Sequence, residues 1–162
     1  MGSEIARLYT PATGDAPPSE CEPRIAVAMR LEVEGLRVSM LSVHLGFSRS
    51  QRLRQTEQVV AFATSFAAGD ACIVAGDFNA ESGTEEMHVL QQAFSDALAG
   101  TRADERVSFP SRCMRGTRDV PAVAIDHVFT TPGVRATAFV LHDDLCASDH
   151  DPVVADCSLT TS

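Results

Sequence analysis

The feature that most constrains this chain is a hairpin written into residues 25–45. "IAVAMRLEV" puts Ile25, Val27, Met29, Leu31 and Val33 on one side of an extended chain and Ala26, Ala28, Arg30 and Glu32 on the other, because side chains alternate along a strand. Glu34-Gly35 supplies a turn and "LRVSMLSVHL" reads as the returning strand. Two strands with an apolar face are marginal alone in water, so the hairpin requires further strands and a second layer.

The rest of the chain provides candidates for both. "EIARLYT" reads as a further strand, joined through a Pro- and acid-rich segment that makes residues 10–24 a mobile loop. Ser48 or Ser50 is placed to cap a helix running to about Phe66, with Leu53, Val59, Val60, Ala63, Phe66 and Ala67 on its inner face. "ACIVAG" follows as a short, continuously apolar strand covered on both sides. Thr84 caps a second helix to about Leu98, with an inner stripe of Met87, Leu90, Phe94 and Ala97. Then "RVSFPSR", "AVAIDHVFTT", "VRATAFVLH" and "PVVADCSL" read as short strands, with a Pro132-Gly133 turn between the second and third. This order predicts a single α/β layered domain over residues 1–162.

Charge and cysteine usage exclude some classes of function. A net charge of −9 repels polyanions unless a local basic patch overcomes it, and Arg49, Arg52 and Arg54 form the densest basic cluster. Five widely spaced cysteines without a C-x-x-C pair argue against a disulfide framework and a zinc site, and Cys72 and Cys157 read as small buried hydrophobes. No run approaches the ~20 apolar residues of a membrane span, and the opening residues lack a secretory pattern. The default expectation is a cytoplasmic protein.

Polar groups suited to chemistry recur where strands give way to loops: His44 in "SVHLG", Asp77 and Asn79 in "GDFNA", Asp126 in "AIDHVF", and Asp149 with His150 in "SDHDP". Side chains two apart share a side, so Asp77 and Asn79 emerge together at a strand end with Phe78 turned inward. Each residue alone reads more readily as a turn or packing residue. His127 alternates to the opposite face from Asp126 and reads as a packing residue, as do His88 and His142.

In order, these segments resemble the endonuclease/exonuclease/phosphatase superfamily of DNase I-like, metal-dependent phosphoesterases. The match runs through "SVHLG", "RLRQTEQV", "IVAGDFNAESGTEEM", "SFPS", "AIDHVF" and "ASDHDPVVADC", from about Pro23 to Leu159. The resemblance implies a β-sandwich flanked by helices, of which this chain holds the C-terminal half with a mixed, mostly antiparallel sheet. It implies in-line attack of water on a phosphoester, with His150 as general base or phosphate-binding imidazole and Asp126 orienting it. By the same resemblance Asp77 positions the water or holds metal, Asn79 donates to the phosphoryl group, and His44 is a second imidazole. Asp149 is a hard oxygen ligand for Mg²⁺ or Mn²⁺.

The resemblance also implies a missing N-terminal portion, carrying an Asn strand and the Glu that is the family's main metal ligand. Three expectations follow. A contiguous apolar sheet face is left exposed, open to a second polypeptide or to self-association. Metal binding is weakened unless Asp143 or Asp144 helps. The alternative to an active phosphoesterase is then a catalytically incomplete fragment or binding module. Among substrates, a small or lipid phosphodiester is slightly favoured over nucleic acid, although Arg49, Arg52 and Arg54 follow His44 closely enough to meet phosphates.

Overall fold

The computed structural model describes residues 2–12, 16–18, 21–117, 119–142 and 146–160. Its centre is a six-stranded sheet of β1 (Gly2–Arg7), β2 (Ile25–Val33), β3 (Leu36–His44), β4 (Ala71–Asp77), β5 (Ser95–Asp96) and β6 (Asp126–Thr130). The strand order is β1-β2-β3-β4-β6-β5. Only β3 and β4 run parallel, since α1 (Arg49–Ala67) carries the chain back across the sheet between them. A second, two-stranded sheet pairs β7 (Val134–Val140) with β8 (Val153–Leu159). With α2 (Glu85–Ala93), this is the mixed, mostly antiparallel α/β layering that the element order predicts.

The β2–β3 hairpin closes as expected. Glu34 and Gly35 both take positive φ, 51° and 80°, the turn whose twist suits a two-residue hairpin loop. Register then assigns the faces. Ala26, Ala28, Leu41, Val43, Cys72, Val74 and Phe129 belong to the core cluster that also holds Val59, Ala63 and Phe66 of α1 and Met87 and Leu90 of α2. Small side chains at 26 and 28 let the helix layer sit close to the backbone.

The large apolar residues of β2 therefore face away from the helices. Over one half of that outer face, Val38, Ile73 and Val128 pack with Leu31 against Val134, Val153, Ala155 and Leu159 of the β7–β8 hairpin. Over the other half nothing described covers them: Ile5, Ile25, Met29, Val33 and Met40 are 37 to 67% exposed. The outer face thus has two regimes, a sheet-covered half and a bare apolar half.

Several expectations need correction. The second helix ends at Ala93 rather than near Leu98, because Phe94 turns extended and Ser95 and Asp96 pair with Thr130 and Phe129 of β6. Residues 106–112 form no strand, only an isolated bridge from Phe109 to Val123. On α1 the early inner positions are polar: Gln51, Gln55 and Thr56 are buried while Leu53 is half-buried. Gln55 explains the choice, since it accepts from Gly46 N at 2.7 Å and donates to Tyr9 O at 2.6 Å, tying two loops to the helix.

Cys157 is exposed rather than buried, and His88 is exposed on α2 rather than packed. Cys113 and Cys146 are joined by a disulfide, against the expectation drawn from the spacing of the cysteines. Spacing cannot reveal one bond between two loops brought together by the fold. No described helix is long and apolar enough to cross a membrane.

Candidate active site

The site is built on one row of the sheet. His44 at the end of β3 is the register partner of Asp77 at the end of β4, and Asp77 is the register partner of Asp126 at the start of β6. Paired residues point to the same side of a sheet, so one imidazole and two carboxylates emerge side by side on the outer face. That face also carries Met29 and Met40 further along β2 and β3.

Two local features fix the row. Gly76 takes φ +146°, and a Cβ there would lie 1.9 Å from the Val43 carbonyl oxygen, so only glycine lets β4 approach β3 immediately before Asp77. Phe78 then turns inward, fully buried, with its ring edge-on to Phe129 at 5.4 Å and to His127 at 5.6 Å. Such burial contributes about 2 to 3 kcal/mol and anchors the chain between the two polar neighbours.

Asn79 takes the left-handed conformation, φ 50°, which Asn tolerates better than most residues. Its backbone N–H donates to Asp77 Oδ1 at 2.8 Å and its Nδ2 donates to Leu45 O at 2.9 Å. These bonds hold the carboxylate and the carboxamide in one turn; strand alternation does not place Asn79, since β4 ends at Asp77 and Asn79 is left-handed.

His150 closes over the row from the loop before β8. Its Nδ1 is 2.7 Å from Asp126 Oδ2, and since an ionised carboxylate only accepts, Nδ1 carries the proton and Nε2 is left toward the site. Nε2 stands 3.9 Å from Asp77 Oδ2, while His44 Nε2 approaches the same oxygen from the other side at 3.4 Å. The Phe109 ring lies against His150 with centroids 4.9 Å apart.

The electrostatics follow from this crowding. Burial pulls the His150 pKa down, but the hydrogen bond and charge of Asp126, with Asp77 and Asp149, outweigh it and leave the pKa above its ordinary 6.5. Asp77 moves up from 3.8, first through desolvation and then through the Asp126 charge, against the lowering pull of the Asn79 N–H and of the two imidazoles.

Asp77, Asp126 and His150 each present a donor atom within 4.8 Å of the others. Two carboxylates held this close, one with a raised pKa, form a donor set that a cation would relieve. Its oxygen-rich composition fits a hard divalent ion.

Asp149 is half-buried and shares a pocket with His44, Asp77, Asn79 and His150, but lies outside that three-donor group. Asp143 and Asp144 fall outside the described residues. Of the basic cluster, Arg49 pairs with Glu85, Arg52 pairs with buried Glu86 at 2.7 Å, and Arg54 stacks its guanidinium 4.4 Å over Tyr9. His127 is buried against Phe78 and Phe129, as expected of a packing residue, with Nε2 donating to Ala80 O at 2.9 Å.

A supporting shell went unread in the sequence. Ser108 Oγ accepts from the backbone N–H of Ile125 and Asp126 at 3.3 and 3.2 Å, and Ser108 O accepts from Asp151 N at 2.7 Å. Ser111 donates from its backbone to Asp149 O at 2.7 Å and from its hydroxyl to Ser148 O at 2.9 Å. The buried Asp151 carboxylate accepts from Arg112 N and Arg115 Nη2, each at 3.0 Å, and from His142 Nδ1 at 2.7 Å. His142 is therefore a hydrogen-bond partner of Asp151 rather than the packing residue expected. The only sequence trace of this shell was "SFPS" and an Asp directly after His150.

A model described as the Endonuclease/Exonuclease/phosphatase family matches residues 8–150. Among solved structures, a conserved protein of unknown function from Enterococcus faecalis V583 superimposes with a TM-score of 0.76 at 22% identity, over 99% of this chain and 66% of that one. An endonuclease/exonuclease/phosphatase from Bacteroides vulgatus gives 0.74 at 18%, with the same two coverages. The human Nocturnin catalytic domain, solved with a sulfate anion, gives 0.72 at 22%, over 99% and 59%. At these identities the likeness shows the fold, and the chain spans just under two thirds of the length of the first two structures. A comparison with curated protein sequences gave no match.

Proposed function

Because this chain belongs to the endonuclease/exonuclease/phosphatase family, we propose that it hydrolyses phosphoester bonds, phosphodiesters above all, by divalent-metal-dependent in-line attack of water. The observation that supports this most directly is the Asp126–His150 pair, 2.7 Å long, standing beside Asp77 on one sheet row. Asp126 holds the Nδ1 proton, so Nε2 is the free base and takes the proton of the attacking water. Asp77, fixed by the Asn79 N–H, orients that water. Asn79 turns its remaining amide proton to a phosphoryl oxygen, and His44 contacts a non-bridging oxygen from the other side of Asp77. Asp77, the carboxylate common to the three-donor group and to the pocket that Asp149 lines, would hold Mg²⁺ or Mn²⁺ with Asp149 while Asp126 and His150 keep the base role, and the ion when bound would supply positive charge against the phosphoryl oxygens.

A small or lipid phosphodiester fits better than nucleic acid. The net charge is −9, and Glu85 and Glu86 already pair with Arg49 and Arg52, so the basic cluster offers little to a phosphate backbone. The proposed compartment is the cytoplasm, with one observation on the other side: disulfides such as Cys113–Cys146 persist mainly where conditions are oxidising.

A second reading draws on the bare half of the outer face, with Ile5, Ile25, Met29, Val33 and Met40 exposed beside the site. In it the chain is an incomplete unit, whose face is covered by a second polypeptide or a second copy that also adds to the metal site. One experiment separates the two readings: turnover of a chromogenic phosphodiester with Mg²⁺, with Mn²⁺ and with chelator, beside His150→Ala. Metal-dependent turnover lost in His150→Ala supports the enzyme. A folded chain without turnover supports the incomplete unit.

A further inference from the structure

The pocket that opens over the row is walled by hydrocarbon on two sides. It holds about 650 Å³. From one side come Phe109, Val123 and Ile125, with Phe109 packed on the His150 ring. From the other comes Phe47, a phenyl ring left 54% exposed at the pocket lining.

Phe47 is held in place, not merely stranded on the surface. The Arg24 guanidinium lies 5.2 Å from the ring centroid, and Arg24 is itself buried and paired with Glu22 at 2.8 Å. Arg52 donates from Nη1 to the Phe47 carbonyl while its Nε bonds Glu86 at 2.8 Å. Two arginines that a nucleic-acid binder would turn toward phosphates are thus spent on fixing one aromatic wall. Among the described lining residues, the carboxylates of Asp77, Glu81 and Asp149 stand beside the imidazoles of His44 and His150 and beside Arg52, whose charge Glu86 already answers.

We infer that this pocket is a subsite for an uncharged apolar group carried by the phosphoester, seated against Phe47 and Phe109, and that it selects against polynucleotides. The inference rests on the phosphoester reading above and deepens it, assigning the part of the site that takes the organic group of the ester. A single phosphoryl group meets the His150–Asp77–Asn79 floor, and the organic group it bears meets hydrocarbon. Phosphates beyond the first would meet Glu81 and the Phe47 and Phe109 rings, and Arg52, the arginine among the described lining residues, is already paired with Glu86.

Calorimetric binding of uncleavable probes in Mg²⁺ tests this without needing turnover. The probes are methylphosphonate, phenylphosphonate, hexylphosphonate and a phosphorothioate trithymidylate, with the whole chain and with Phe47→Ala and Phe109→Ala. Burying a phenyl or hexyl group against the wall should tighten binding about tenfold or more over methylphosphonate. Phe47→Ala should remove most of that gain and leave methylphosphonate unchanged, and because Phe47 is largely exposed this variant keeps the core intact. A larger gain for phenyl points to aromatic esters, and one for hexyl to lipid esters.

Methylphosphonate bound as tightly as the other phosphonates, or the trithymidylate bound tightest, overturns the subsite and leaves the phosphoester reading standing. Apolar phosphonates bound without any hydrolysis of phosphodiesters would sink the catalytic reading and keep the subsite. Failure of every probe to bind overturns the subsite, and turnover of the chromogenic phosphodiester then decides the phosphoester reading by itself.

Discussion

Asp126 and His150 lie 24 residues apart in sequence and meet at 2.7 Å, carboxylate oxygen to imidazole Nδ1. The contact sets the tautomer of His150, and with it which nitrogen faces Asp77. Asp126→Asn keeps the shape and removes the charge, so the imidazole loses both its strongest raising influence and its enforced orientation. Phosphodiester turnover is expected to fall by about 10² to 10⁴-fold, the range for loss of a positioned general base.

The same variant carries a stability signature. His150 has a folded pKa above its ordinary 6.5, so its contribution is fully present below 6.5 and disappears as pH rises through the folded pKa. Urea melts of the two proteins should differ most under mildly acidic conditions and converge at alkaline pH. A gap that is the same at every pH would show that the pair does not titrate as described.

Gly76→Ala tests the backbone under the site. The new Cβ would meet the Val43 carbonyl oxygen at 1.9 Å, at a φ of +146° that L side chains rarely adopt. Relief requires β4 to move off β3, so a loss of about 2 to 4 kcal/mol is expected, read from the urea midpoint. Gly83→Ala serves as control, since nothing lies within 4 Å of the Cβ it would add.

Alternation and turn chemistry made β2, β3, the Glu34-Gly35 turn and the inward Phe78 readable, because those patterns are set by neighbours in sequence. The row His44–Asp77–Asp126 was readable only as separate strand ends joined by a family resemblance, since cross-strand register is not a local property. What escaped was long-range. The buried Asp151 takes its partners from residues 112, 115 and 142, and the Cys113–Cys146 bond spans 33 residues. Which face of β2 is buried also eluded alternation: period two says that two faces differ, but Ala26 and Ala28 lie inside because of where α1 lands. The early end of α2 has a related reason, since Ser95 and Asp96 pair with β6 and Asp96 meets Arg106 at 2.6 Å, contacts that helical periodicity cannot foresee.

His127 provides a pH prediction of opposite sign to His150. Burial holds its pKa below 6.5, despite the opposing pull of the Ala80 carbonyl and Asp96. Its Nδ1 is buried without a hydrogen-bond partner, so a second proton would place a charge where no acceptor receives it. A depressed folded pKa means full stability above 6.5, lost as pH falls toward the folded value. His127→Gln keeps a donor for Ala80 and removes the titration. The variant is expected to be less stable than the parent at neutral pH and to lose less on acidification, as measured by urea melts across the acid range. An acid loss as steep as the parent's would locate the sensitivity elsewhere.

The bare outer face makes the last prediction. Met29 and Met40 are register partners on β2 and β3 and are 46% and 37% exposed, with Ile5, Ile25 and Val33 on the same face. Where the β7–β8 hairpin covers this face, Val38, Ile73 and Val128 are buried, so the covered half shows what the uncovered half lacks. Burying the exposed apolar area is worth about 25 cal/mol per Å², a drive toward association that the net charge of −9 opposes through repulsion between copies. Light scattering behind gel filtration should therefore show self-association of the parent chain that grows with added salt, as screening removes the repulsion. Met29→Glu with Met40→Glu should give a monomer at every salt concentration and lower stability by only about 1 kcal/mol, because both side chains are partly in water while the two carboxylates oppose each other across the strands. Loss of stability comparable to a core substitution would mean that the face is covered within the chain itself, and a parent monomeric at high salt would mean that the apolar half does not drive association.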